Sequence, residues 1–203
     1  MKICILATGR CGSNSLFRCI QEHLPEEYTF LNEPFDVFKE NKENFRIDIN
    51  TPNVLLKTLV GQIPAQKYRT ELYDWIFQTF DKVVILDRKN KTEQTESFAY
   101  HTTKNIKDRH NTKRIYNLDS ISTDVINKWE SDLQIASNFL VLTSQEYNSK
   151  IYYYEDIFVN KDMLVINEIF DCLGIKPIKK IINRWIISND KKVRIYKEIV
   201  KLI

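Results

Sequence analysis

Short apolar runs alternate along this chain with segments whose apolar residues recur at helical spacing. The apolar runs predict strands at Lys2–Ala7, Tyr28–Leu31, Val54–Lys57, Lys82–Leu86 and Lys150–Tyr154. The periodic segments predict helices at Asn14–His23, Leu72–Phe80, Lys91–His101, Asp124–Tyr147, Met163–Leu173 and Val193–Leu202. Strands that alternate with helices in this way predict an α/β fold of three layers. Its centre is a mostly parallel sheet of about four or five strands, flanked by helices.

Length and composition support one soluble domain over residues 1–203. The chain is 43% hydrophobic and 28% charged, which is typical of a globular protein with a substantial core. No apolar stretch approaches the roughly 18 residues needed to span a membrane, and no signal peptide is apparent, so we expect a cytoplasmic protein without a membrane span. The net charge of +3 is too small to indicate a nucleic-acid partner. Four cysteines without CxxC spacing predict neither a zinc site nor disulfides.

The first candidate site is the segment Thr8–Ser15, which follows a predicted strand and opens a predicted helix. Two of only four glycines in the chain, Gly9 and Gly12, lie here. Backbone N–H groups at a helix N-terminus bind anions, and Arg10 and two serine hydroxyls would add to that attraction. The pattern fits neither GxxxxGK[ST] nor GxGxxG. An ordinary turn, with Ser13 or Asn14 as the N-cap, is the alternative.

A second candidate site begins at the end of the fourth predicted strand. Arg88 leaves that strand, and Ser97 lies on the helix that follows. An arginine and a hydroxyl so placed could bind a second phosphate, separate from the first. The alternative is a solvated helix start in which Glu93 and Ser97 pair at i, i+4. Two anion sites on one sheet suggest a ligand with two separated phosphates.

The order of these segments resembles the sulfotransferases that use 3′-phosphoadenosine-5′-phosphosulfate, and most of all their bacterial carbohydrate branch. Arg10–Ser15 is similar to that family's 5′-phosphosulfate loop, and Arg88 through Gln94 to Ser97 is similar to its 3′-phosphate motif. Asn32–Phe35 resembles an acidic segment after strand two, and Tyr152–Ile157 with Phe170–Ile175 resembles the C-terminal Y-E-D-L and f-L-G-i segments. The resemblance implies a fold similar to that of the P-loop kinases. It also implies 3′,5′-adenosine bisphosphate as the product and no metal. The donor-binding residues that it implies are Arg10, Cys11, Gly12, Ser13, Asn14, Ser15, Arg88, Ser97 and Tyr154.

Several positions depart from the family pattern, and one of them bears on catalysis. Leu59 stands where a related branch has a histidine base, so another residue must take the acceptor proton. We assign that role to Glu33, which Pro34 is expected to hold in an extended segment. Lys57 and Arg10 are the predicted catalytic cations. Alternatively, Glu33 only pairs with Arg10 or Lys57. The other departures are Asn14 in place of a second Ser or Thr, and Asn90 in place of Asp.

The acceptor is expected to be a small molecule or glycan hydroxyl, which four aromatic residues could help to bind. Phe30, Phe35, Phe38 and Tyr100 could stack on a sugar, although core packing explains at least half of them. The three histidines, His23, His101 and His110, are predicted at the surface, and Lys191, Lys192 and Arg194 in a solvated basic helix.

Two alternatives to a sulfotransferase are a nucleotide or small-molecule kinase of the P-loop type and a nucleotide-binding protein without turnover. The kinase is less well supported, because no obvious magnesium-binding aspartate follows strand four, where Arg88 comes directly after Asp87.

Overall fold

Five parallel strands form one sheet in the computed structural model, which describes residues 1–35, 51–60, 66–102 and 122–186, without the side chains of 66–72 and 100–102. The strands are Lys2–Ala7 (β1), Thr29–Asn32 (β2), Val54–Leu59 (β3), Lys82–Asp87 (β4) and Ile151–Tyr153 (β5). Their order across the sheet is β2-β3-β1-β4-β5, and every neighbouring pair is parallel. This confirms the predicted parallel α/β sheet.

The helices also follow the predicted order. They are Ser13–Gln21 (α1), Gln66–Thr79 (α2), Lys91–Thr102 (α3), Thr123–Glu146 (α4) and Met163–Leu173 (α5). Asp162 accepts hydrogen bonds from the first N–H groups of α5, and Gly174 closes that helix with a φ of 67°, a conformation that favours glycine. The sequence pattern did not predict the π-helical turn at Glu155–Val159 or the helical segment over residues 179–186. The predicted helix at 193–202 lies outside the described residues.

Alternating residues of β1 separate the core into two halves, one on each face of the sheet. Ile3 and Ile5 pack with residues of α1 and α5 on one face, whereas Cys4 and Leu6 pack with residues of α2 and α4 on the other. This alternation follows from the two-residue period of a strand. The sheet is therefore the middle of three layers, as predicted.

Helix α4 is buried along its middle and exposed at its N-terminal end. Leu133, Ala136 and Leu140 are buried, but Val125 is 37% exposed. A helix of 24 residues is roughly 36 Å long, whereas a six-residue strand spans only about 20 Å. The first turns of α4 therefore extend past the strands and cannot be covered by the sheet. None of the helices in the described ranges is both long enough and apolar enough to cross a membrane.

Strand order determines where a ligand can bind. β1 is paired on one side with β3 and on the other with β4. The loop that follows β1 therefore lies where the strand order reverses, which is where ligands bind in open α/β sheets. The register aligns the carboxyl ends of β1, β3 and β4, with Ala7 beside Leu59 and Leu86, and β2 ends at Asn32 beside Lys57. We call this side of the sheet the carboxyl edge. Both predicted phosphate motifs and the segment that contains Glu33 leave a strand at this edge.

Candidate anion-binding and active site

The loop after β1 ends at the N-terminus of α1, and no side chain caps that end. Gly12 is the N-cap residue, with a φ of 81°, and no side-chain capping bond is formed. The first turn of the helix also holds no acidic residue. Capping by Ser13 or Asn14, the alternative interpretation of this loop, is therefore wrong. The N-terminus of α1 keeps its attraction for an anion.

Gly12 lies against two aromatic rings from the segment after β5. An added Cβ would come within 2.6 Å of Phe158 Cε2 and 2.9 Å of Tyr154 Cδ2, distances that real Cβ atoms do not adopt. Phe158 and Tyr154 are both buried, so they cannot easily move aside. Glycine is required here both by its positive φ and by this close approach.

Arg10 belongs to the same loop and has a φ of 60°. Its Nε donates a hydrogen bond to the Ser97 hydroxyl at 3.2 Å. Burial lowers the pKa of the Arg10 guanidinium to about 10, and the nearby charge of Arg88 acts in the same direction. A bound anion would stabilise a cation that is partly desolvated and close to a second cation, so the position of Arg10 favours anion binding.

Arg88 is not paired with Ser97 as the sequence suggested. Its Nη2 donates to Glu93 Oε2 at 2.6 Å, and its guanidinium carbon lies 4.6 Å from the centre of the Tyr154 ring. Its Nε lies 3.7 Å from Glu155 Oε1, is buried, and has no hydrogen-bond partner. Ser97 is directed to Arg10 because α3 packs on the first loop, where Phe98 lies 3.7 Å from the position of a Cβ on Gly9. The predicted pairing of Glu93 with Ser97 is not formed either, since Glu93 binds Arg88.

A buried polar network joins this loop to the end of β4. Gln94 Nε2 donates to the Gly9 carbonyl at 2.5 Å and to Thr8 Oγ1 at 2.9 Å. Thr8 in turn donates to Asp87 Oδ1 at 2.7 Å. Asp87 also accepts hydrogen bonds from Lys91 and Ser137. The two predicted phosphate motifs are therefore joined by hydrogen bonds that the sequence did not predict.

Lys57 is at the centre of a second polar cluster, on the β2 side of the loop. Its side chain is 0% exposed, and its Nζ donates to Asn14 Oδ1 at 2.8 Å and to Asn32 Oδ1 at 3.2 Å. It also forms an ion pair with Glu33, whose side chain is 17% exposed. β3 continues two residues beyond the predicted end, so Lys57 lies within the strand and not at its carboxyl end. This ion pair is the one expected under the alternative interpretation, in which Glu33 only pairs with Arg10 or Lys57.

The backbone of Glu33 differs from the prediction. Its φ is 53°, which is left-handed and not extended, although a residue before proline normally avoids the helical region. The Glu33 N–H donates to the Lys57 carbonyl at 2.8 Å, which continues the pairing of β2 with β3 past the end of β2. This tertiary hydrogen bond and the ion pair with Lys57 offset the local preference. Strain of this kind concentrates at functional sites.

The remaining residues of the loop differ in what they can offer a ligand. Cys11 is fully buried and its thiol donates to the Thr8 carbonyl at 2.9 Å. Burial raises the pKa of this thiol to about 11, so the side chain is a core group and only its backbone is available. Ser13 and Ser15 are also buried, at 5% and 6% exposure. Asn14 is exposed, and its amide oxygen is engaged by Lys57.

Two of the four aromatic residues proposed for an acceptor pocket, Phe30 and Phe35, have described side chains, and these two do not meet at the carboxyl edge. Phe35 packs in the core, its ring edge-to-face with Trp75 at 6.1 Å. Phe30 lines a cleft of about 450 Å³ beside the C-terminal half of α1, together with Arg18 and Trp185. Phe35 therefore follows the core-packing alternative, and Phe30 lies away from the carboxyl edge. Phe38, the side chain of Tyr100 and the basic C-terminal residues lie outside the described residues.

The histidine prediction can be checked at one position, because the side chain of His101 and all of His110 lie outside the described residues. His23 is partly buried. Its Nε2 accepts from the Ile178 N–H at 2.9 Å, so its Nδ1 carries the proton and donates to the Cys19 carbonyl at 2.6 Å. His23 is a structural link at the C-terminal end of α1. Within the described ranges, no group of three or more His, Cys, Asp or Glu side chains is arranged to hold a metal ion.

Comparison with known proteins gives a structural likeness without a sequence match. No family model matches the chain, and neither does any curated protein. Among solved structures, the crystal structure of mouse sulfotransferase SULT7A1 complexed with PAP matches with a TM-score of 0.49 and 18% sequence identity. The match covers 92% of this chain and 63% of that chain, so this chain spans less than two thirds of that protein's length. The site residues themselves therefore carry the assignment of function.

Proposed function

We propose that this chain transfers a sulfuryl group from 3′-phosphoadenosine-5′-phosphosulfate to an acceptor hydroxyl. The observation that carries the proposal is the position of Tyr154, whose ring contacts both anion-binding candidates. Gly12, at the N-terminus of α1, packs on one part of the ring, and the Arg88 guanidinium lies over the ring at 4.6 Å. Two separate positive positions on one aromatic residue suit a nucleotide that has a phosphate at each end of its sugar.

The residues present fit such a donor at both ends. The uncapped N-terminus of α1 and the partly buried Arg10 suit the 5′-phosphosulfate. Arg88 suits the 3′-phosphate, because its buried Nε lacks a hydrogen-bond partner and would gain one. In this proposal Tyr154 supports the nucleotide, and Ser97 orients Arg10 and does not bind the 3′-phosphate together with Arg88.

The donor supplies an activated sulfuryl group, and the side chains around Lys57 would supply the rest of the chemistry. Glu33 takes the proton from the acceptor hydroxyl while the oxygen of that hydroxyl forms the new bond to sulfur. The bond between sulfur and the 5′-phosphate breaks, and negative charge develops on the leaving phosphate. Arg10 and the α1 N-terminus stabilise that charge. Protonation of Glu33 weakens its ion pair, so Lys57 becomes available to the transferring group.

We further propose a carbohydrate hydroxyl as the acceptor, on the resemblance of the ordered motifs to the bacterial carbohydrate branch. A kinase is less well supported by these residues. Asp87, which leaves β4 where a magnesium-binding aspartate would be needed, already accepts hydrogen bonds from Thr8, Lys91 and Ser137.

Thermal stabilisation followed by a turnover assay tests the proposal. We expect 3′,5′-adenosine bisphosphate at 100 times its Kd to stabilise the fold by about 2.7 kcal/mol, and Mg-ATP to have little effect. Mass spectrometry should then detect an acceptor that gains one sulfate when the donor is present, in a panel of mono- and oligosaccharides with simple alcohols and phenols as comparison. Stabilisation by Mg-ATP alone would favour the kinase. Bisphosphate binding without any sulfated product would favour a binding protein.

A further inference from the structure

Arg88 lies between two carboxylates that differ in their exposure to solvent. Glu155 accepts backbone hydrogen bonds from Lys89 at 2.9 Å and from Asn90 at 3.0 Å, one on each oxygen. Its side chain is 19% exposed. The Glu93 side chain is 38% exposed and binds the outer Nη2 of Arg88 at 2.6 Å. Glu155 is therefore fixed to the turn after β4, whereas Glu93 extends from the first turn of α3 over a surface that faces solvent.

The two carboxylates on Arg88 oppose the binding of a phosphate while both stay in place. Arg88 carries one positive charge, and Glu93 and Glu155 together carry two negative charges. A phosphate on the same guanidinium would lie within a few ångströms of Glu93, and like charges at such a distance repel strongly where the surroundings are partly buried. The unpartnered Nε–H and the Nη2–H group lie on the same edge of the guanidinium. A phosphate that binds Arg88 side-on would take both, and would therefore compete with Glu93 for Nη2.

We propose that Glu93 is a specificity-determining residue that occupies the 3′-phosphate position on Arg88 until the donor displaces it. This inference rests on the proposed function. Glu155 stays in place and orients Arg88, while the more exposed Glu93 turns toward solvent. The cost of moving Glu93 falls only on ligands that carry a 3′-phosphate. Glu93 therefore weakens binding of both the donor and its bisphosphate product, and its return to Arg88 speeds release of that product.

The test compares two nucleotides on variants of the full chain by isothermal titration calorimetry. The nucleotides are 3′,5′-adenosine bisphosphate and adenosine 5′-phosphate, which lacks the 3′ group. Glu93→Gln should bind the bisphosphate about tenfold more tightly than the original chain, since the competitor loses its charge. Its affinity for adenosine 5′-phosphate should change by less than about twofold, because that ligand does not touch Arg88. Glu93→Asp, whose shorter side chain reaches Arg88 less well, should also tighten bisphosphate binding and leave the affinity for adenosine 5′-phosphate unchanged; it serves if Glu93→Gln does not fold.

Two further variants complete the design. Glu26→Gln makes the same change of charge at an exposed position before β2, away from the carboxyl edge, and should leave both affinities unchanged. Glu155→Gln should weaken bisphosphate binding, because it loosens the turn that presents Arg88. An unchanged or weaker bisphosphate affinity in both Glu93 variants would overturn the inference while leaving the proposed function intact. If neither the original chain nor the Glu93 variants bind the bisphosphate, both are overturned.

Discussion

Arg10 reaches from the loop after β1 to Ser97 in the second turn of α3, where its Nε lies 3.2 Å from the serine hydroxyl. These residues belong to the two motifs that the sequence suggests for two different phosphates. Their hydrogen bond, together with the contact of Gln94 with Gly9, makes one continuous site of the two motifs. A change in either motif should therefore affect the other.

Gly12→Ala should destabilise the protein by about 2–4 kcal/mol, from the strain of a positive φ and from overpacking against Phe158. Gly9→Ala is the matched control. A Cβ on Gly9 would make an ordinary contact with Phe98 at 3.7 Å, so we expect a change below about 1 kcal/mol. Urea denaturation of both variants measures the difference. Equal stability of the two would contradict the close packing of Gly12 on the aromatic pair.

Arg88→Met should weaken binding of 3′,5′-adenosine bisphosphate by about 1.5–3 kcal/mol, the range for a hydrogen bond to a charged group. Binding of adenosine 5′-phosphate should hardly change. Lys89→Met is the control, because Lys89 is the adjacent cation but is 51% exposed and pairs with Asp156. Calorimetric titration distinguishes the cases. An equal loss for both nucleotides would mean that Arg88 is structural.

Arg10→Met and Lys57→Met should each lower kcat more than they raise KM for the donor, because both cations act on charge that develops during transfer. Initial-rate kinetics over a range of donor concentrations separate the two effects. The Arg10 variant should also keep its fold, since Met fills much of the same volume. A change confined to KM would limit the residue to ground-state binding.

Glu33→Gln should lower kcat by at least about 10²-fold while donor affinity is kept, because an amide cannot take the acceptor proton. The amide oxygen can still accept a hydrogen bond from Lys57, so the cluster around that lysine should persist. Single-turnover rates and calorimetry on the same preparation give both quantities. A kcat near that of the original chain, with a lower melting temperature, would reduce Glu33 to the structural partner of Lys57.

Tyr147 should contribute to the loss of stability in strong alkali. Its hydroxyl donates to Asp74, and this hydrogen bond is the main reason that the pKa of Tyr147 is raised to about 12. The folded pKa exceeds the unfolded value of about 10, so the contribution is complete below pH 10 and is lost as the pH rises toward 12. Tyr147→Phe keeps the stacking on Phe77 and should reduce the slope of unfolding free energy over that interval. An unchanged slope would exclude this hydrogen bond as a source.

The order and type of the elements could be predicted because apolar periodicity reports which faces are buried. β1 and α5 agree with their predicted bounds, Lys2–Ala7 and Met163–Leu173. The two motifs could also be found, since glycine, arginine and hydroxyl residues at a strand end have few other uses. Hydrogen bonds between residues of different motifs could not be predicted from local sequence patterns. Nothing local to Arg10 indicates that α3 will bring Ser97, and not a residue of the loop, to its Nε.

Glu33 shows why local preference was insufficient even for the backbone. Pro34 favours an extended residue before it, but the carbonyl of Lys57 and the Lys57 ammonium come from a different strand and determine the conformation instead. Glu155 is a related case. The sequence shows that Glu155 belongs to a Y-E-D segment. The hydrogen bonds that it accepts from the backbone of Lys89 and Asn90, however, depend on how β5 aligns with β4.

The central position of β1 has a consequence for the order in which the protein folds. β1 precedes the other strands of this sheet along the chain, and both of its partners come later, β3 after β2 and β4 after α2. The loop with Arg10 and Gly12 therefore cannot become ordered on the ribosome until β4 has emerged, and its aromatic support follows only with Tyr154 and Phe158. Pairing between such distant segments is slow, because the chain must close long loops before it gains contacts. Pulse-labelled hydrogen exchange during refolding should accordingly show the amides of α4 protected before those of β1.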